Sequence, residues 1–166
     1  MVSKSQGGRA VNVASDIMER DVVRVGMNQP VIDVCRMFYQ EEISGAPVID
    51  DSSQVVGVVS LTDLVRTAQS EHEVLAGSST FYRQIKAAPP AWFDKGDELE
   101  ERFDGIQVGE VMTSEVVSVA PDTPIPLVVK KVLEHGVHRV LVLDESNEVD
   151  HLVGIISLFD LVKLLQ

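Results

Sequence analysis

Gly57-Val58-Val59-Ser60-Leu61-Thr62-Asp63 is the stretch on which the reading of this chain turns. An apolar run closing on a small polar residue reads as a buried strand. Ser60 followed three positions later by Asp63 reads as the start of a helix. In that arrangement the serine and the acidic side chain satisfy N–H groups that the first helical turn leaves without partners. A single stretch of this kind is an ordinary helix start. This chain carries a second, Gly154-Ile155-Ile156-Ser157-Leu158-Phe159-Asp160, with glycine, serine and aspartate in the same places.

Working outward, the similarity extends over a longer unit, as a true internal repeat requires. Asp16-Ile17-Met18 aligns with Glu110-Val111-Met112, and Met18 and Met112 are 94 positions apart. The same offset lays Val22-Val23-Arg24-Val25 on Val116-Val117-Ser118-Val119 and Pro30-Val31 on Pro124-Ile125. It also lays Ala46-Pro47-Val48-Ile49-Asp50 on Val140-Leu141-Val142-Leu143-Asp144. The last strand then slips, since Asp50 and Gly57 are 7 positions apart and Asp144 and Gly154 are 10 apart. The extra residues fall in Glu145 to His151, a polar turn where insertion is tolerated.

Each copy spells the same order of elements. In the first, Ser15 could cap a short turn leading to a strand at Val22 to Val25. Asn28 is a suitable N-cap, and Pro30 suits the first turn of a helix. Val31, Val34, Cys35 and Phe38 recur at helical spacing and define a buried face, and Gly45 breaks the pattern. Strands at Ala46 to Ile49 and Val55 to Ser60 flank the polar turn Asp50-Asp51-Ser52-Ser53. A helix starting near Leu61 is expected to run to about Leu75. In the second copy, Asp122 or Thr123 caps a helix with Pro124 and Pro126 in its first turn. Its buried face is Ile125, Val128, Val129, Val132 and Leu133, and Gly136 closes it. Strands at Val140 to Leu143 and Leu152 to Ser157 follow, then a terminal helix, Leu158 to Leu165.

The division read from this is an N-terminal tail (1–12), a first repeat with its C-terminal helix (13–76), an acidic connecting segment (77–107) and a second repeat (108–166). The connecting segment holds breakers at Gly77-Ser78-Ser79 and Pro89-Pro90. It also holds Tyr82, Trp92 and Phe93 in a polar setting, and an acidic run from Asp94 to Asp104. It reads either as a solvated excursion or as a lid or docking surface.

Composition narrows the function. The 166 residues carry 14 basic and 26 acidic side chains, a net charge of −12, which argues against nucleic acid as a partner and disfavours an anionic membrane surface. An anionic small ligand remains compatible where a few cations are concentrated. Cys35 is the only cysteine, which excludes an intramolecular disulfide and fits a reducing compartment. On the apolar side of a helix it reads as a buried, inert thiol. No apolar run approaches a membrane span, and Met1 to Ala10 is short and polar without a secretory apolar region. The expectation is a frayed N-terminus and a cytoplasmic protein. A catalytic constellation is missing from the sequence: no Walker loop, no dinucleotide fingerprint, no nucleophile elbow. His72-Glu73 begins a zinc-protease motif, but Ala76 stands where the second histidine belongs. Neither a catalytic residue nor a metal site is expected.

The doubled pattern resembles a tandem pair of cystathionine-β-synthase (CBS) domains. The residues that carry the resemblance are Asp16-Ile17-Met18, Ala46 to Asp50 and Gly57 to Asp63 in one copy. In the other they are Glu110 to Thr113, His138 to Asp144 and Gly154 to Asp160. It covers about two thirds of the chain, and the second copy is most similar to repeats of the AMP-activated protein kinase gamma subunit. The resemblance implies an α/β fold of two β-α-β-β-α repeats packed by pseudo-twofold symmetry into one CBS pair. It implies two clefts able to hold an adenine nucleotide, with an aspartate on the ribose hydroxyls, a role that suits a carboxylate.

By that resemblance the main cleft combines Ser157, Asp160, His138, Arg139 and Ile155 with Met18, Val22, Val23, Ile43 and Ser44, and Arg139 meets phosphate. A second, weaker cleft uses Ser60, Asp63, Met112, Val116, Val117 and Val137, with His138 within reach. Gly45 stands there at the position matching Arg139, so this cleft lacks the cation. Met18 and Met112 stand where some nucleotide binders place threonine.

The function this supports is regulatory ligand sensing. AMP, ADP, ATP or an S-adenosylmethionine-like molecule binds as a regulatory ligand rather than a required cofactor, and an unidentified effector protein reads the result in trans. A homodimer is expected through Leu158, Leu161, Val162 and Leu165 of the terminal helix and Leu61, Leu64, Val65 and Ala68 of its counterpart. The alternative is a constitutive scaffold or dimerisation module with no physiological nucleotide.

Overall fold

A computed structural model describes residues 12–68, 101, 103–144 and 151–165 of the chain. They form two compact units, one of residues 23–116 and one of residues 1–22 with 117–166. Residues 69–100, which include most of the connecting segment and the expected end of the helix at Leu75, lie outside the described residues, as does the turn 145–150.

The unit of residues 23–116 holds β1 (Val25–Gly26), α1 (Val31–Gln40), β2 (Gly45–Ile49), β3 (Val55–Ser60), α2 (Leu61–Ala68) and the short α3 (Val108–Val111). Its sheet has the order β1-β2-β3, with β1 parallel to β2 and β2 antiparallel to β3. The other unit holds a 3-10 turn (Ala14–Asp16), β4 (Ser118–Val119), α4 (Ile125–His135), β5 (Arg139–Asp144), β6 (His151–Ser157) and α5 (Leu158–Lys163). Its sheet is ordered β4-β5-β6 with the same directions. Both central pairs shift register at matching places, Val48/Ile49 and Val142/Leu143. The β-α-β-β-α order read from the sequence is present twice.

The core positions follow the helical spacing in the first copy. Val31, Val34, Cys35 and Phe38 are all buried and pack with Val25, Val48 and Val59. Burial pushes the Cys35 thiol up to about 12, with neighbouring Arg36 opposing, so the thiolate is not accessible at neutral pH. In α4 the buried face is narrower than expected. Val128 and Val132 are buried, Ile125 and Val129 half-buried, and Leu133 is 74% exposed.

The expected caps are also corrected. Neither Asn28 nor Asp122 or Thr123 caps a helix: the N-cap positions are Pro30 and Pro124, without side-chain cap bonds. The reason is tertiary. The Val31 N–H donates to the Ile106 carbonyl (3.0 Å) and the Ile125 N–H to the Asn12 carbonyl (3.0 Å), so a distant backbone does the capping. Asn28 Nδ2 turns instead to Asp51 Oδ1 at 3.3 Å. The helix α1 ends at Gln40 rather than at Gly45, through Glu42 at φ 53°. Gly136 closes α4 as expected, at φ 62°, its N–H on the Val132 carbonyl. The first strand is shorter than expected, with only Val25 and Gly26 paired to β2.

Each unit completes its sheet with the leader of the other repeat. Thr113 and Val58 exchange both backbone hydrogen bonds at 2.9 Å, and Glu19 and Ile155 do the same at 2.9 Å. Gly109 N–H donates to the Met27 carbonyl (2.8 Å), and Ser15 N–H, at the matching position, to the Pro121 carbonyl (2.9 Å). The spatial units therefore divide the chain differently from the sequence repeats: residues 13–22, which open the first repeat, belong with the second repeat's sheet.

These leaders explain the glycines that begin both motifs. A Cβ on Gly57 would lie 2.8 Å from Met112 Sδ and 2.8 Å from the Thr113 carbonyl oxygen. On Gly154 it would lie 2.5 Å from Met18 Sδ and 3.0 Å from the Glu19 carbonyl oxygen. Close approach of the leader, not left-handed torsion, favours glycine at both sites: a backbone oxygen and a methionine at Gly57, and chiefly the Met18 side chain at Gly154.

Two expectations about surfaces change. Leu64, Val65 and Ala68, proposed for a dimer face, are buried within their own unit, because α2 packs on α1 and α3. Phe103, in the acidic segment, is also part of that core at 1% exposure. In α5, Leu161, also proposed for the dimer face, packs on the core of its own unit, whereas Leu158, Phe159 and Val162, and Leu164 and Leu165 just beyond the helix, are exposed.

Candidate ligand site

The site grows from the end of β6. Ser157, the last strand residue, is the N-cap of α5, with φ −98° and ψ 165°. Asp160 Oδ2 accepts from the Ser157 N–H (2.9 Å) and Ser157 Oγ (2.6 Å). Those two bonds fix the carboxylate rotamer and use the capacity of Oδ2. Oδ1 faces outward, where Lys163 Nζ lies at 3.0 Å. Burial pushes the Asp160 carboxyl up, but the bonds from Ser157 and the hydrogen bond and charge of Lys163 outweigh it and hold it below the ordinary carboxylate value. The carboxylate is a fixed anion with one oxygen open to exchange Lys163 for a hydroxyl donor.

Strand register adds the cation. Arg139 opens β5 and is the direct partner of Ser157 across the sheet. Arg139 is half-buried. The carbonyl of His138, one residue before, accepts the Leu158 N–H at 3.1 Å and satisfies another orphan of the helix start. A strand pairing and a helix cap thus bring residues His138, Arg139, Ser157 and Asp160 to one end of one sheet.

The other unit repeats this frame with different chemistry. Asp63 Oδ2 accepts from the Ser60 N–H (2.8 Å) and Ser60 Oγ (2.6 Å). The Ser44 carbonyl accepts the Leu61 N–H (3.1 Å), as His138 does for Leu158. Gly45 is the partner of Ser60, in the place of Arg139. Arg66 lies 3.6 Å from Asp63 Oδ1, longer than the Lys163 contact. Asp63 is itself buried, at 8% exposure. Thr62 Oγ1 beside it is buried with no hydrogen-bond partner among the described residues; its counterpart Phe159 is 65% exposed.

Of the residues assigned to the main cleft from sequence, Met18, Val22, His138, Arg139, Ile155, Ser157 and Asp160 lie in the unit of residues 1–22 and 117–166. Val23, Ile43 and Ser44 lie in the other. For the second cleft, Ser60, Asp63, Met112 and Val116 share the unit of residues 23–116, while Val117 and Val137 belong to the first. Met18 is buried with Val140 and Ile156, and Val137 packs on the same cluster. The sequence reading missed Lys163 and Arg66, although a basic residue three positions after each aspartate is a legible helical pair.

A profile of the CBS domain matches residues 14–70 and 108–166, more than half of the chain. The chain belongs to the CBS-domain family. It is 29% identical over 158 residues to an uncharacterized protein of Methanocaldococcus jannaschii, covering 93% of this chain and 92% of that one. It is 25% identical over 146 residues to the 5'-AMP-activated protein kinase subunit gamma-3 of Sus scrofa, covering 88% of this chain and 24% of the kinase subunit. The CBS fold is shared with the crystal structure of CBSX2 in complex with AMP, at a TM-score of 0.65 and 23% identity, over 92% of this chain and 95% of that one. Two CBS repeats in one α/β chain are therefore established. No helix among the described residues is long and apolar enough to cross a membrane.

Proposed function

We propose that this CBS pair is a regulatory, non-catalytic sensor of an adenine nucleotide, with its main site at Asp160. The observation that supports the reading is the register of Arg139 with Ser157, the residue that holds the Asp160 carboxylate in one rotamer. Asp160 Oδ1 accepts a ribose hydroxyl in place of Lys163. Arg139 meets the phosphate in a charge-assisted contact, and His138 adds a donor. Ile155 and Val22, both half-buried, offer apolar surface to the base, and Met18 lies on the same core. The AMP bound by CBSX2 and the kinase gamma relative support this ligand class. Asp63 takes a ligand more weakly, since Gly45 gives it no counterpart to Arg139. Binding shifts the pose of the repeats by no more than the ligand's differential affinity for the two poses, and an effector protein in the cytoplasm reads that shift.

The exposed apolar residues of α5 favour a homodimer through that helix. They also favour the second reading, a scaffold without a nucleotide, in which Asp160 is only the cap that Ser157 and Lys163 already satisfy. Thermal unfolding in graded AMP, ADP, ATP, adenosine and S-adenosylmethionine separates the two. A bound ligand raises the midpoint with concentration, whereas a scaffold shows no shift with any of them.

A further inference from the structure

A concave site lies on the unit of residues 1–22 and 117–166 and shares no residue with the Asp160 site. It is a cavity of about 390 Å³ between the edge strand β4 and one face of α4, within the range of small-molecule sites. Ser118 and Val119 form one side; Leu127, Lys130, Lys131 and Glu134 form the other. Those four recur at helical spacing, so they share a face of the helix. Leu127 is 53% exposed there.

The charge of this cavity runs against the molecule. On a chain of net charge −12, two lysines and a single glutamate line it. Lys130 and Glu134 pair at 3.6 Å, both largely exposed, and nearly cancel. Lys131 is half-buried, and its ammonium donates to the Ser118 carbonyl on the open edge of β4. An ammonium has three donors, and among the described residues Lys131 has no acidic partner. The uncompensated charge is therefore a single cation beside apolar surface.

The first copy does not build this chemistry. By the 94-residue offset Asp33, Arg36 and Met37 stand where Leu127, Lys130 and Lys131 stand. Asp33 and Arg36 pair at 3.6 Å, and Met37 packs on the core. The fold itself needs neither the lysine pair nor the exposed leucine.

We propose that this groove binds a small organic monoanion: a carboxylate on Lys131, with an apolar body along Leu127 and Val119. A dianion would oppose Glu134, and a bare inorganic ion would leave the apolar surface unused. The test is titration of the ¹⁵N-labelled full chain with octanoate, octanamide and acetate. Octanoate is expected to give saturable shifts at the Ser118, Val119, Leu127 and Lys131 amides. Octanamide and acetate are each expected to bind about tenfold or more weaker, the former lacking the charge and the latter the body. Lys131→Met should weaken octanoate by about tenfold or more and leave octanamide unchanged. Equal affinity for octanoate and octanamide on the wild-type chain overturns the proposal, whether or not the variant folds. So do shifts confined to residues 158–165, or no saturable binding of octanoate.

Discussion

Arg139 and Ser157 are register partners on β5 and β6, and Gly45 and Ser60 are register partners at the same point of the other sheet. One frame thus carries two different electrostatic sites. Each has a serine that fixes an aspartate. Only one frame has an arginine, Arg139, as the strand partner of its serine, where the other has Gly45, so affinity for phosphate should be unequal between them.

Arg139→Ala is expected to weaken AMP binding by about ten- to a hundredfold, the range of a charge-assisted hydrogen bond. Adenosine has no phosphate to lose and should change by less than about threefold. Asp160→Ala should weaken both ligands. Asp63→Ala should leave the tightest event in place. Calorimetry with AMP and adenosine on the three variants reads this directly. Loss of tight binding in Asp63→Ala with retention in Asp160→Ala would move the main site to Asp63.

The Asp160 carboxyl sits below its ordinary value in the folded chain. A depressed folded value means its contribution to stability is present above the unfolded value, about 3.9, and is lost as pH falls through the folded value. Asp160→Asn removes that contribution at neutral pH. Weakening the hydrogen bonds that Asp160 accepts from Ser157 and Lys163 should cost about 0.5–1.5 kcal/mol. The difference between wild type and variant in urea unfolding should be constant from pH 7 to about pH 5 and shrink in the acid range below. A gap that widens on acidification would show that another group sets it.

Gly57→Ala should destabilise by about 1–3 kcal/mol, as overpacking does. The added methyl meets the Thr113 carbonyl oxygen as well as Met112 Sδ. Gly154→Ala meets mainly the end of Met18, a flexible side chain. Met18→Ala should therefore relieve much of the cost of Gly154→Ala, giving a double variant less destabilised than the sum. Met112→Ala should relieve less of the Gly57→Ala cost, because the backbone oxygen stays. Denaturant midpoints across both cycles decide it, and equal relief in the two would refute the distinction.

Val162 and Leu133 are both exposed, at 53% and 74%, but only Val162 lies in an apolar cluster. Single exposed leucines are ordinary; contiguous apolar patches mark interfaces. Val162→Asp should shift the chain toward monomer in sedimentation velocity at micromolar concentration. Leu133→Asp should leave the sedimentation coefficient unchanged. A wild-type chain that sediments as monomer would remove the dimer.

The amino-acid order alone determined the repeat, the element sequence and the two capping boxes. These are local matters: hydrophobic spacing sets strand or helix, and Ser60 reaches Asp63 within one turn. It determined the α1 core face too, since Val31, Val34, Cys35 and Phe38 lie on one stripe whatever they pack against. The tertiary structure decided what depends on distant backbone. It moved the helix starts to Pro30 and Pro124 because Ile106 and Asn12 supply the capping carbonyls. It buried Leu64 and Phe103 together, whereas spacing gave Leu64 to a dimer face and the acidic run around Phe103 read either as a solvated excursion or as a lid or docking surface. It placed residues 13–22 with the second repeat's sheet, where Glu19 pairs with Ile155. Periodicity identifies an apolar face, but only packing decides which neighbour covers it.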